Sequence, residues 1–158
     1  MLITWLPVEE HDLTVGPTLF TDSRVLAVAA GHELAGRPTA PLESLADFAH
    51  VNVPDVPASW ENGYLPFWTP HGRPIERIQS VASTDELIQL VGTGEIVHAF
   101  PAHVTHYWSL SDIRWLPIPD LNTLTYVLVW RPEAESDAIR AFARTVKDLA
   151  AAGPPRGR

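Results

Sequence analysis

Residues 80–101, Ser-Val-Ala-Ser-Thr-Asp-Glu-Leu-Ile-Gln-Leu-Val-Gly-Thr-Gly-Glu-Ile-Val-His-Ala-Phe-Pro, read as a strand, a capped helix, two glycines and a second strand closed by proline. Ser83 and Glu86 have the S-x-x-E spacing of a capping box, and Leu87, Ile88, Leu90 and Val91 recur at helical spacing. Gly92 and Gly94 are expected to stop the helix. In an open α/β sheet such a helix begins at the carboxyl ends of the strands, where its first N–H groups have no helical partners and can meet a ligand. Function is therefore expected near Ser83 and Thr84.

Outward from this stretch the pattern repeats. Leu2 to Leu6 read as a strand ended by Pro7, and Leu13, Val15 and Leu19 alternate with smaller residues in a second strand. Arg24 leads into a third, Val25 to Ala30. A short helix from Pro41 to Phe48 and a strand from His50 to Val53 follow. Residues 54–74 hold so many prolines that at most two helical turns fit, around Trp60 to Trp68. Ile75 to Val81 form the strand before the central helix, and Ile96 to Phe100 the strand after it, with a short helix through Tyr107. Ile113 to Pro117 and Thr123 to Trp130 complete the strands. Ser136 can cap a last helix with Ala138, Ile139, Phe142, Val146 and Leu149 on one face. Strands alternating with helices predict an α/β fold with a parallel or mixed sheet.

Composition narrows the function. A chain of 158 residues with 46% hydrophobic content can bury a core unaided. Without cysteine there is no disulfide framework, no thiolate nucleophile and no Cys-ligated zinc, as suits a reducing cytoplasm. No basic leader and no apolar run near the ~18 residues of a membrane span is visible. A net charge of −8 with scattered Lys and Arg argues against direct contact with a phosphate backbone. The stretch from residue 153 to 158 is expected to be a disordered tail.

Three segments, in order, resemble the effector-binding (substrate-binding) domain of LysR-type transcriptional regulators, which is similar to type 2 periplasmic binding proteins. They are LFTDSRVLAVAAGHELAG at 19–36 with PLESLADF at 41–48, SVASTDELIQLVGTGEIVHAFP at 80–101, and LTYVLVWRPEAESDAIRAF at 124–142. The resemblance implies a two-lobed fold with a small molecule bound between the lobes. Residues 23–122 match a complete second lobe, and 1–22 with 123–152 match part of a first lobe whose opening elements are missing, as is the DNA-reading helix-turn-helix. The crossings would fall at Thr21, Asp22, Ser23 and Arg24 and at Leu121, Asn122 and Thr123. Members dimerise side by side, often through the helix at 84–91, so a homodimer or higher oligomer is implied for a full-length protein, with DNA bound only through the missing domain.

By the same resemblance the effector contacts are Thr4, Trp5, Ser83, Thr84, Phe100 and Pro101. Each has a plain structural alternative: Ser83 and Thr84 as caps, Trp5 as a core ring, Phe100 and Pro101 as packing. Trp5 favours a flat or apolar effector, while Asp85 and Glu86 would repel a carboxylate at the helix start. No cofactor is expected. His98, His103 and His106 are compact enough to suggest a metal, but they fall on different elements, and no metal site is assigned. Trp60, Tyr64, Phe67 and Trp68 could form an aromatic platform or simply pack a loop. No nucleophile elbow, P-loop or zinc-hydrolase motif occurs, and Asp22, Ser23 and His32 lack an oxyanion site, so no enzyme is expected. A free-standing small-molecule binding protein of the same fold and a non-functional truncated remnant are the alternatives.

Overall fold

A computed structural model describes residues 1–52 and 56–152; the ends of the expected strand at Val53 and the expected tail at 153–158 lie outside them. The chain divides into two compact units, Met1–Asp22 with Leu124–Arg158 (unit 1) and Ser23–Thr123 (unit 2).

Unit 1 is a three-stranded antiparallel sheet of order β1-β8-β2, with β1 at Leu2–Trp5, β2 at Thr14–Asp22 and β8 at Leu124–Trp130. β8 pairs on both sides, Trp5 and Phe20 both facing Tyr126 in the register. The register of β2 shifts between Val15 and Thr18 and again before Phe20. Gly16 lies in the first of these shifts, where a Cβ would meet Cζ3 of Trp130 at 2.4 Å. Helix α3 (Asp137–Ala152) packs against β2. Its start is capped as expected, the Ile139 N–H donating to Ser136 Oγ at 3.3 Å. The expected apolar face is only partly covered: Ile139 and Val146 are half-buried, whereas Ala138, Phe142 and Leu149 are exposed. Helical periodicity fixes which residues share a face but not how much of that face finds a partner.

Unit 2 contains the antiparallel sheet β6-β3-β7 (His98–Pro101, Arg24–Ala29, Ile113–Pro117) and the parallel pair β4-β5 (His50–Asn52, Arg77–Ser80). A hydrogen bond from Val97 N–H to Ala49 C=O, 3.0 Å, ties the start of β4 to the segment entering β6. Leu26 and Val28 of β3 join one apolar cluster with Leu45 and Leu65, while Val25 and Ala27 join another with Leu87 and Val91. Both faces of β3 are thus covered, which is why it reads as an unbroken apolar run. Among the described residues only β4 and β5 pair in parallel, so the sheet content is mixed and mainly antiparallel.

Several boundaries differ from the sequence expectation. The Pro41–Phe48 helix is a 3-10 turn at Leu42–Asp47, the helix after β6 is another at Ala102–His106, and the helix of the proline-rich stretch is α1 at Ala58–Tyr64. β5 is four residues long and β6 starts at His98. Gly92 does not end the central helix, α2, which runs Thr84–Thr93. Gly94 ends it, at φ 79°, with its N–H on Val91 C=O at 3.0 Å and Glu95 N–H on Leu90 C=O at 3.1 Å. This paired arrangement needs a left-handed residue just past the last turn, and Gly92 precedes that point.

Candidate functional site

The start of α2 is built as a modified capping box. Ser83 Oγ accepts the Glu86 N–H at 3.2 Å, but the Glu86 carboxylate takes the N–H of Ala82 at 2.7 Å, one residue before the N-cap. The first intrahelical bond runs from Leu87 N–H to Ser83 C=O at 3.1 Å, so the N–H groups of Thr84 and Asp85 precede the ladder. Ser83 and Thr84 are exposed while Leu87 and Val91 are buried, which anchors the helix and leaves its first turn facing solvent. Ser83 therefore caps, and Thr84 is the neighbour with a side chain to spare.

In unit 1, Thr4 is buried and Trp5 half-buried. The Trp5 ring stands edge-on to Tyr126 (6.5 Å, 75°), and Phe20 stacks on Tyr126 (4.5 Å, 21°). Cross-strand register makes this row of three rings, of which sequence reading found only Trp5. Phe20 and Tyr126 were hidden because a strand assignment gives face but not pairing partner. On the same unit Pro17, Thr18, Trp130 and α3 residues including Arg140, Arg144 and Lys147 line a mainly apolar groove of about 600 Å³.

Phe100 and Pro101 are both buried. Phe100 packs edge-on to Trp108 and Trp115 at 5.4 and 5.6 Å, within the core on the α2 side, and Pro101 pairs with Arg24 in the register. Of the residues assigned to the crossings, Thr21 and Asp22 belong to β2 and pair with β8. Ser23 C=O accepts the Ala102 N–H at 2.8 Å, Leu121 is buried, and Asn122 and Thr123 are exposed.

Arg24 is the largest surprise. It is 1% exposed at the head of β3, with its Nη1 donating to Tyr64 C=O and its guanidinium 4.4 Å over the Tyr64 ring. Arg77 makes a second such clamp: Nε lies 2.7 Å from Glu61 Oε1, Nη2 donates to Leu65 C=O at 2.6 Å, and the guanidinium lies 4.4 Å over Phe67. The two arginines thus donate to carbonyls at the C-terminal end of α1. That satisfies groups a seven-residue helix leaves open and explains why a helix too short to persist alone forms in a proline-rich segment.

Beneath Tyr64 lies His98, its ring 5.9 Å away and near-parallel. Burial pushes its imidazole down to about 3, helped by nearby His50, Arg24 and Arg77. His50 is lowered to about 4, again mainly by burial, against a raising bond to Leu45. His50 Nε2–H donates to Leu45 C=O at 2.9 Å, so Nδ1 is the bare acceptor of the neutral ring. Among the described residues the Nδ1 atoms of His50 and His98 have no hydrogen-bond partner. His98 is thus a neutral core residue. His106 Nδ1 lies 3.2 Å from His103 C=O, and no group of three or more metal-ligating side chains occurs among the described residues. His32 Nδ1 accepts the Leu34 N–H at 3.1 Å and packs edge-on to Phe48, the bonding of a turn-capping residue. The Trp60–Trp68 aromatics do not converge: Tyr64 turns to Arg24 and His98, Phe67 to Arg77, and Trp68 is 61% exposed.

This architecture is that of the two-lobed α/β effector-binding domains. The chain is similar to the BenM effector binding domain with its effector benzoate (20% identity, TM-score 0.70, 99% of this chain and 73% of that one). It is likewise similar to the regulatory domain of MetR, a LysR family regulator from N. meningitidis (19%, 0.70, 97% and 73%). CbnR, a LysR family transcriptional regulator, matches at 14% and TM-score 0.72 over 92% of this chain and 50% of CbnR. No curated protein matches in sequence. The profile of the LysR substrate binding domain matches residues 1–151, and the chain belongs to that family. It is an effector-binding domain of the LysR type, a regulatory ligand-binding module. No helix among the described residues is long and apolar enough to cross a membrane.

Proposed function

We propose that this domain senses a small molecule through the first turn of α2 on unit 2, by Ser83 and Thr84, and through Thr4 and Trp5 on unit 1. The supporting observation is the exposed α2 start, where two N–H groups precede the helical ladder beside a hydroxyl that capping does not require. Phe100 and Pro101 support this contact set from within the core. The row Trp5, Tyr126 and Phe20 favours a ligand with a flat or apolar part. Asp85 and Glu86 in the same turn disfavour a carboxylate placed directly on the helix start, so a neutral polar group is the better match there.

In this reading the chain passes between units at the segments holding Thr21 to Arg24 and Leu121 to Thr123, and residues 1–22 with 123–152 form one lobe and 23–122 the other. Regulation of transcription then requires a DNA-reading segment outside this chain, a cytoplasmic setting and an oligomer. The domain performs no catalysis and takes no cofactor.

The test is a thermal-shift screen with neutral aromatic, hydroxylated and carboxylate small molecules, followed by titration calorimetry of the strongest hit. Thr84→Ala and Trp5→Ala should each weaken that binding about tenfold, the loss of one hydrogen bond or ring contact worth ~1.4 kcal/mol. If Ser83→Ala, Thr84→Ala and Trp5→Ala all leave affinity unchanged, the assignment is wrong.

A further inference from the structure

The groove of unit 1 is apolar along its walls and cationic along its rim. One wall is the first register shift of β2, where Gly16 lets the backbone close on the Trp130 ring and Pro17 follows with no N–H to offer. Trp130 is 7% exposed, and its one side-chain donor goes to Glu135 Oε2 at 3.2 Å, so it presents hydrocarbon to the groove. The opposite wall is α3, whose small residues Ala143 and Ala150 leave the space open. Arg140 to Ala150 spans about 15 Å of helix, so the cavity of about 600 Å³ is a trough, with a volume inside the ~300–1,000 Å³ of small-molecule sites.

The three basic side chains on this trough are not equivalent. Arg140 is neutralised by Glu135 at 3.0 Å and Asp137 at 2.6 Å. Arg144 and Lys147 enter no ion pair among the described residues, and their i, i+3 spacing lets both reach one anionic group. Among the described residues no carboxylate lines the trough. In a chain of net charge −8, two unpaired cations beside an apolar surface are complementary to an anion with a hydrocarbon body.

We propose that this trough binds a linear alkyl carboxylate, its head between Arg144 and Lys147 and its chain along Ala143, Pro17 and the Trp130 ring. Neither half suffices alone: an exposed cation pair holds a bare carboxylate weakly against water and salt, and an apolar wall does not select an anion. The methylene stems of Arg144 and Lys147 extend the wall while their charged heads stay at the rim. The trough thus prefers the ligand charge that Asp85 and Glu86 oppose at the start of α2, and the two sites take different molecules.

The test is titration calorimetry of the intact chain with decanoate below its micelle concentration, with decyltrimethylammonium as the probe of opposite charge. Decanoate should bind saturably, at one site and at least tenfold tighter than the cation. Arg144→Gln with Lys147→Gln should weaken it tenfold or more, and Ala150→Trp, which fills the trough from an exposed position, should do the same. Both variants should keep the parent melting temperature. Ser83→Ala with Thr84→Ala should leave decanoate affinity unchanged, which separates this site from the one proposed at α2. Absence of saturable binding overturns the proposal, as does a cation that binds equally well or a double glutamine variant with parental affinity.

Discussion

Unit 2 buries charge, and unit 1 exposes oil. Of the 26 buried hydrophobic residues among those described, 21 belong to unit 2, and the five in unit 1 all lie on β8. Of the eleven exposed large hydrophobics among the described residues, eight belong to unit 1, Leu2, Ile3 and Leu149 with them. Unit 2 has enough apolar cover to enclose Arg24, His50 and His98. In unit 1 a single central strand holds the buried hydrophobic residues, and apart from Thr4 the described residues flanking it are half-buried or exposed. The difference teaches that a family match along a chain's length says nothing about how completely each unit closes: the profile covers both alike, and the burial does not.

The contrast breaks most sharply at Arg24. Arg24→Ala should destabilise unit 2 by about 3 kcal/mol or more, since it removes a fully buried guanidinium, its bond to Tyr64 C=O and its packing on the ring. Urea unfolding followed by circular dichroism measures it. A loss under ~1 kcal/mol would mean that α1 does not depend on the clamp.

Acid should separate the units next. His50 and His98 titrate at about 4 and about 3 folded, against 6.5 unfolded, so the unfolded chain binds more protons throughout that window. Stability from these two imidazoles is complete above about pH 6.5 and declines as pH falls toward 3, by at most roughly 1.4 kcal/mol per pH unit for each. Melting curves between neutral pH and pH 4 should show this slope, and His98→Phe should flatten it. An unchanged slope in that variant would place the acid sensitivity elsewhere.

The smallest effect sharpens the other side. Leu2→Thr, at a residue 57% exposed, should shift stability by no more than about 0.5 kcal/mol. A loss comparable to a core truncation, read from the same unfolding curves, would show that the apolar surface of unit 1 is covered in solution after all.

Sequence carried the element order because its signals are local: Ser83 and Gly94 bracket α2, and the unbroken apolar run Val25–Ala29 marks a strand with two covered faces. Gly92 misled because one glycine does not break a helix whose C-cap lies two residues on. The buried polar cluster was illegible for a different reason. Arg24 and Arg77 stand 53 positions apart and reach α1 only through the fold. Nothing in the local pattern distinguishes an arginine that leads into a strand at the surface from one that is swallowed beneath a tyrosine. His98 looked like a ligand candidate for its neighbours in sequence, whereas its actual neighbours are Tyr64 and Phe100.

The placement of β8 between β1 and β2 fixes an order of events during synthesis. Both flanking strands leave the ribosome about a hundred residues before the strand that joins them, and at ~5–20 residues per second they wait seconds or longer. Unit 2 is contiguous and complete once Thr123 has emerged. Its folding draws the carboxyl end of β2 and the amino end of β8 onto neighbouring attachment points, Asp22 and Leu124, which already pair in the register. The inserted unit therefore acts as a template that shortens a search across about a hundred residues to a local closure, and β8, made after unit 2, completes the sheet that β1 and β2 began.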